Sequence, residues 1–190
     1  LEIVGQLLKS RPGRRLSDMA DHLETLENRL NLRISDRAVR TSFVASWSTL
    51  DEFDQAIFAC LGVFAGRAFT PDALASVAGL ELNLAEDKLY TLRALSLVRE
   101  SGIDRFQQHP LLAAFAGEKL SVATKAHVRM AEYYAQFAAQ HEDESETLAA
   151  EWENIAAAMA TASMLEAWTL LLAFGKSLTR FWFQQAHFSH

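Results

Sequence analysis

The sequence predicts a mainly α-helical protein that contains one small β-hairpin. The first observation is composition, because 8 Gly and 3 Pro in 190 residues are too few for a turn-rich all-β chain or a disordered one. The second is spacing, since apolar residues recur at steps of three and four over most of the chain. The third is one interruption of that spacing at residues 97–107, where short β-favouring runs flank a turn.

Residues 1–35 are predicted to be helical and to form the first domain. The basic loop Arg11–Arg15 separates the end of one helix from the start of the next. The second of these helices has five apolar residues on one face: Leu16, Met19, Leu23, Leu26 and Leu30. We interpret the basic loop as a solvated surface loop in preference to an anion site.

Residues 36–120 are predicted to form the second domain, which begins with helices. Thr49 and Glu52 have the spacing of a capping box, in which Glu52 reaches back to the amide of the cap residue. The helix behind this box is predicted to end at Gly66. It carries four apolar residues on one face: Phe53, Ile57, Leu61 and Phe64.

The next two helices of this domain also have signals at their ends. Thr70 is predicted to cap one helix, Pro71 to be its first residue and Gly79 to end it. Asn83 and Glu86 are predicted to open the following helix. Its apolar face holds three leucines: Leu89, Leu92 and Leu95.

The hairpin is predicted to combine strands at 97–100 and 105–107 with a turn at Ser101–Asp104. His109 and Pro110 then begin another helix, which has three inward-facing residues: Leu111, Leu112 and Phe115. Three helices followed by a hairpin is the order of elements in a winged helix. The sequence therefore predicts a winged-helix domain over residues 36–120.

Residues 121–190 are predicted to form a third domain, an antiparallel array of helices that resembles a helical repeat. The acidic run at 141–146 ends its first helix, and a very short link near Met164 separates the other two. The apolar residues of the three helices are, in order, Met130, Tyr134 and Phe137; Leu148, Trp152, Ile155 and Met159; and Trp168, Leu171, Leu172, Leu178 and Trp182. The second group is expected to pack against Leu171, Leu172 and Leu178, which leaves Phe181, Trp182 or Phe183 partly uncovered.

The order of these segments resembles the signal-transduction ATPases with numerous domains, the class that contains the NB-ARC proteins. The matching segments are 46–50, 58–64, 69–74, 92–98 and 105–112. Residues 1–30 resemble the small helical domain that follows the nucleotide-binding domain in that class. Glu151–Ala158 resembles the E-x-E-N-hydrophobic helix that opens the tetratricopeptide-like sensor of its bacterial members.

This resemblance implies a non-catalytic regulatory module of a longer cytoplasmic protein, of which a chain that starts at Leu1 would be one piece. The winged helix would hold the nucleotide-binding domain of the same chain inactive, while the helical array senses a ligand or protein partner. ADP or ATP would bind in the parent protein, and no cofactor is expected in these residues, because they contain no GxxxxGK[ST] loop.

The resemblance also assigns a role to His109. In the family, the histidine of a Met-His-Asp motif contacts the β-phosphate of ADP, and His109 takes that position with Gln108 and Pro110 as its neighbours. Pro110 removes one amide donor and the acidic partner, which weakens the match. The other interpretation is that His109 only caps its own helix.

Charge and side-chain chemistry also bear on other functions. A DNA-binding winged-helix regulator is the alternative, but the formal net charge is −6 and the expected groove helix balances Glu86 and Asp87 against Lys88 and Arg93. We expect no catalytic residue, because Cys60 has the sequence context of a packed thiol. His187 and His190 are interpreted as part of a tail and not as metal ligands, and isolated His22 and His127 as ordinary helix side chains. No stretch has the roughly 20 apolar residues of a membrane span.

Overall fold

A computed structural model describes residues 43–120 and 123–187 of the chain. The chain divides into two compact units, Leu1–Ser42 and Phe43–His190, and the described residues all belong to the second. The predictions for residues 1–35, including the basic loop, lie outside the described residues. Within the described part, the mainly helical chain and its small antiparallel hairpin are confirmed.

The described chain begins with helical residues 43–48. Helix α1 then spans Glu52–Cys60 and continues into a 3-10 turn at Leu61–Phe64. Three of the four residues predicted on its inner face are buried, namely Ile57, Leu61 and Phe64. Phe53 is exposed, and Phe58 is fully buried instead.

The predicted capping box of α1 is wrong, because the helix starts two residues later. Asp51 is the cap residue, and its carboxylate accepts a hydrogen bond from the Asp54 amide at 2.7 Å. Thr49 instead donates its hydroxyl to the Ser46 carbonyl at 2.7 Å. Aspartate ranks above threonine as a cap, which explains why the later start is preferred.

Helix α2 spans Pro71–Ala78 and begins and ends where the sequence predicts. The Thr70 hydroxyl accepts a hydrogen bond from the Ala73 amide at 3.3 Å. Gly79 follows the helix with φ = 72°, a left-handed conformation that glycine adopts without steric cost.

Helix α3 spans Leu82–Ala94 and starts one residue before the predicted Asn83. Glu81 precedes it without a side-chain hydrogen bond to the helix, so the predicted Asn83 start is wrong. Leu89 and Leu92 are buried as predicted.

Strand β1 spans Arg99–Gly102 and β2 spans Arg105–Gln107, and they pair antiparallel. The predicted hairpin is therefore confirmed, but its first strand lies two residues later than predicted: Ser101 and Gly102 belong to β1, and the turn is limited to Ile103 and Asp104. Phe106 of β2 also exchanges both backbone hydrogen bonds with Phe69, each at 2.9 Å. The segment that leads into α2 is thus fixed to the hairpin.

Helix α4 spans Pro110–Lys119 and contacts both α1 and the 3-10 turn. Its Leu112 and Phe115 are buried, and Leu111 is half-buried. Helix α5 spans Ala123–Gln140. Its buried residues include Met130 and Tyr134.

The remaining helices are α6 at Ser145–Ala150, α7 at Trp152–Met164 and α8 at Trp168–His187. The prediction of one helix through Leu148 and Met159 is wrong, because the chain breaks at Glu151 between α6 and α7. Glu151 has φ = −101° and ψ = 6°, outside the helical range, and its side chain is buried.

The inward face of α8 also differs from the prediction. Leu178 is buried as expected, but Leu172 is 74% exposed. The buried residues of this helix include Phe174 and Phe181, and the Phe181 ring contacts Trp152 with centroids 5.3 Å apart. Trp182 and Phe183 are exposed, as the prediction of a partly uncovered face requires.

One apolar core joins the two predicted domains of the described part. Helix α5 packs against α2, α7 and α8. Leu74 of α2, Met130 of α5 and Ile155 of α7 all belong to this core. The described residues before and after position 120 therefore share one packed interior, while a functional boundary at 120 stays a prediction.

Candidate functional site

A buried ion pair connects the hairpin to the break between α6 and α7. Arg105, the first residue of β2, donates from Nη1 to Oε1 of Glu151. Glu151 is only 5% exposed, whereas the Arg105 side chain keeps 25% of its surface in solvent. Arg105 also donates from Nη2 to the Ala68 carbonyl at 3.2 Å, so one guanidinium joins three segments.

The second carboxylate oxygen of Glu151 accepts hydrogen bonds from two helices, α5 and α7. Oε2 accepts hydrogen bonds from the Tyr134 hydroxyl of α5 at 3.2 Å and from Asn154 Nδ2 of α7 at 2.9 Å. The break between α6 and α7 also provides an acceptor for the first turn of α7, since the Asn154 and Ile155 amides both donate to the Glu151 carbonyl. Glu151 therefore starts α7 with its backbone and occupies the interior with its side chain.

Asn154 extends the network to the segment between the 3-10 turn and α2. Its Nδ2 donates to the Ala68 carbonyl at 2.7 Å, and its Oδ1 accepts from Arg67 Nε at 2.9 Å. Arg67 in turn donates from Nη2 to the Val63 carbonyl at 2.9 Å. We call Arg67, Arg105, Tyr134, Glu151 and Asn154 the junction network.

Burial sets the protonation of this network. It raises the pKa of Tyr134 far above its ordinary value, and the Glu151 charge raises it further. The hydroxyl consequently keeps its proton at neutral pH and donates a hydrogen bond to Glu151. Burial lowers the pKa of Arg67, but a guanidinium still carries its charge at neutral pH.

The chemistry of the network is that of a structural junction. Every charged group in it meets an opposite charge or a hydrogen-bond acceptor. A buried network with matched partners is rigid and fixes one arrangement of its elements.

The sequence did not predict this network. Glu151 and Asn154 entered only through the E-x-E-N resemblance, and Glu153 of that segment is exposed. The contacts of Arg67, Arg105 and Tyr134 with them were missed, because no sequence spacing relates residues so far apart. One signal was present: Glu151 lies three residues after Leu148 and four before Ile155, at an inward position of the apolar pattern.

His109 lies at the start of α4, where the structure confirms its predicted cap. Its Nδ1 accepts a hydrogen bond from the Leu111 amide at 3.3 Å, and the side chain is exposed. Gln108 beside it is buried, and its amide nitrogen and oxygen have no hydrogen-bond partner among the described residues. The contact of His109 with ADP stays a prediction.

The structure describes only some of the other candidate residues. Cys60 is half-buried at the end of α1, and burial raises the pKa of its thiol. His187 ends α8, and His22 and His190 lie outside the described residues. Within residues 43–120 and 123–187, no group of three or more His, Cys, Asp and Glu side chains is placed to hold a metal ion.

A search of the helices in the described ranges found none with the length and apolar character of a membrane span. Comparison with models of known protein families, with curated proteins and with solved structures gave no match. The resemblance to the signal-transduction ATPases consequently rests on the sequence segments alone.

Proposed function

We propose that the chain is a non-catalytic regulatory module of a signal-transduction ATPase. In this proposal α1 to α3 and the hairpin act as a winged helix that holds the nucleotide-binding domain of the same chain inactive. The helices from α5 onward begin a tetratricopeptide-like array that senses a ligand or protein partner. The element order and the sequence resemblance support the assignment.

The junction network is the observation that carries the proposal. A sensor can regulate a winged helix only if a change in one alters the energy of the other. Arg105 and Glu151 provide such a connection, because the pair joins the hairpin directly to the start of α7. A displacement of α7 must either move the hairpin or break a buried ion pair, which is costly.

The alternative function, DNA binding, finds less support in the same elements. Lys88 and Arg93 are the two basic residues of α3, the helix expected to enter a DNA groove. Lys88 pairs with Asp54 at 2.6 Å, and Arg93 pairs with Glu100 of the hairpin. Cations that are already paired have less to gain from phosphate contacts.

The proposed nucleotide contact involves His109 in the full-length protein. Because Nδ1 of His109 accepts from the Leu111 amide, Nε2 of the neutral ring carries the proton, and this exposed imidazole at a helix start is placed to donate from Nε2 to a phosphate oxygen. The contact would leave the hydrogen bond from Leu111 in place. His109→Ala is expected to speed ADP dissociation about ten- to a hundredfold, the usual effect of a lost charge-assisted bond.

The test of the proposed function uses the full-length protein and the rate of fluorescent ADP release. Glu151→Gln keeps the shape of the side chain but removes the charge that holds Arg105, so ADP release should accelerate at least severalfold. Glu153→Gln is the matched control, because Glu153 is exposed two residues away. The rates are compared well below the melting temperature of each variant. Equal release rates in the two variants, or a full-length protein without a phosphate-binding loop, would refute the proposal.

A further inference from the structure

A cleft of about 400 Å³ opens between α1, α2, α4 and α5. No member of the junction network lines it, and its volume falls within the range of about 300–1,000 Å³ typical of small-molecule sites. Its lining includes the small apolar side chains of Ala59, Val77 and Ala126, all of which are buried. The base of the cleft is therefore apolar and not occupied by large side chains.

Three cations also line this cleft, against one carboxylate. The cations are Lys119, Lys125 and Arg129, and the carboxylate belongs to Glu52. Within the described ranges none of the three cations forms an ion pair. The Lys119 ammonium lies over the Trp47 ring at 4.8 Å, and Arg129 Nη1 donates to the Val77 carbonyl at 3.4 Å.

We infer that this cleft binds a small organic anion with a short apolar body. The carboxylate or phosphate head of such a ligand would meet the cations, for which the described residues supply no carboxylate partner, and form charge-assisted hydrogen bonds. Its apolar part would cover the alanine and valine side chains at the base. An apolar lining with a few convergent polar groups is the ordinary composition of a ligand site. This inference does not depend on the proposed regulatory function.

Cys60 provides a reporter inside the cleft. It is the only cysteine of the chain, it lines the cleft, and it is half-buried. Burial raises the pKa of its thiol, and the Arg129 charge opposes that rise only in part. Because the thiolate is the reactive form, alkylation is measured at mildly alkaline pH, where a bound ligand should slow it.

The first experiment measures the rate of Cys60 alkylation by iodoacetamide in the intact chain, with mass spectrometry as the readout. Octanoate and octyl phosphate are the anionic probes, while octylamine and octanol carry the same tail without a negative charge. We expect at least one anionic probe to slow alkylation severalfold and to saturate, and the other two to leave the rate nearly unchanged. Equal protection by octylamine or octanol, or no protection by either anion, would overturn the inference.

The second experiment assigns the protection to the cleft. Lys125→Gln should weaken octanoate or octyl phosphate binding about tenfold, which corresponds to about 1.4 kcal/mol. Lys176→Gln is the matched control, since Lys176 is an exposed lysine of α8 that does not line the cleft. Ala56→Leu should abolish protection, because Ala56 is an exposed residue of α1 that lines the cleft. Thermal melts check that each variant folds, and unchanged protection in a folded Ala56→Leu protein would refute this location.

Discussion

Glu151→Ala should destabilise the protein more than any exposed charge substitution. The substitution leaves Arg105 without its carboxylate and takes away the acceptor of the Tyr134 hydroxyl and of one Asn154 amide hydrogen. Removing one partner of a buried ion pair costs about 3–5 kcal/mol. Arg105 keeps a quarter of its side chain in solvent, so water recovers part of the loss, and we expect about 3 kcal/mol.

The assay is thermal or urea unfolding of the intact chain followed by circular dichroism. For a protein of this size a loss of about 3 kcal/mol lowers Tm by about 6–12 °C. Glu153→Ala is the control, because Glu153 is the same residue type two positions along and is exposed. Its effect should stay within about 0.5 kcal/mol.

A double-mutant cycle separates the ion pair from the other contacts of Glu151. If the Arg105–Glu151 ion pair accounts for most of the loss, the double variant Arg105→Ala, Glu151→Ala should be at least about 1 kcal/mol less destabilised than the sum of the two single variants. A coupling free energy of about 1 kcal/mol is typical of residues in contact. Equal Tm values for Glu151→Ala and Glu153→Ala would refute the reasoning. Additive single effects would show that the Tyr134 and Asn154 contacts, and not the ion pair, hold the junction.

Three further predictions concern packing, titration and the exposed surface. Gly62→Ala should destabilise the protein by about 1–3 kcal/mol in urea unfolding, because the new Cβ would lie 2.6 Å from the Gly117 backbone nitrogen. Gly117→Ala is the control: its Cβ would meet no atom within 4 Å, and the change should stabilise α4 by up to about 1 kcal/mol. The alkylation of Cys60 should have a higher pH midpoint in the folded protein than in the urea-unfolded chain. Burial disfavours the thiolate, so ionisation of Cys60 leaves the stability intact below the pKa of this thiol in the unfolded chain. The stability then falls as pH rises from that value through the higher pKa of the thiol in the folded protein. Leu172→Ser should reduce binding of a hydrophobic dye, because Leu172 and Trp168 are both largely exposed on α8. Leu178→Ser should instead unfold the protein and increase dye binding, because Leu178 is buried.

Helix positions could largely be predicted from the sequence, because they depend on local signals. The cap at Thr70 and the end at Gly79 follow from side-chain hydrogen bonding and from the backbone freedom of glycine. The cap at Asp51 was missed, since two acceptable cap residues lie close together and only their relative strength decides. Local signals of this kind find an element but leave its first residue open.

The candidate site could be predicted only in part, because it depends on distant contacts. Glu151 occupies an inward position of an apolar pattern, and this predicts a buried charge in need of a partner. Nothing local identifies that partner as Arg105, which is separated from it by 46 positions. The helix break at Glu151 has the same origin, since the tertiary contacts of its side chain accompany a departure from helical backbone angles.

The surroundings of Glu151 and the surface of α8 differ in a way that bears on regulation. Glu151 is buried beside the hairpin and each of its carboxylate oxygens accepts a hydrogen bond, so its contact with Arg105 has one low-energy arrangement. Along α8, Leu172 and Phe183 stay exposed, 74% and 66% respectively, so that face retains apolar surface that a partner could cover. Helix α8 packs on both α5 and α7, the helices that carry Tyr134 and Asn154. A partner that binds α8 and changes the packing of α5 against α7 would therefore strain the junction network, because Tyr134 of α5 and Asn154 of α7 both donate to Glu151. Under the proposed function, this places the input surface on α8 and the output at Arg105 of the hairpin.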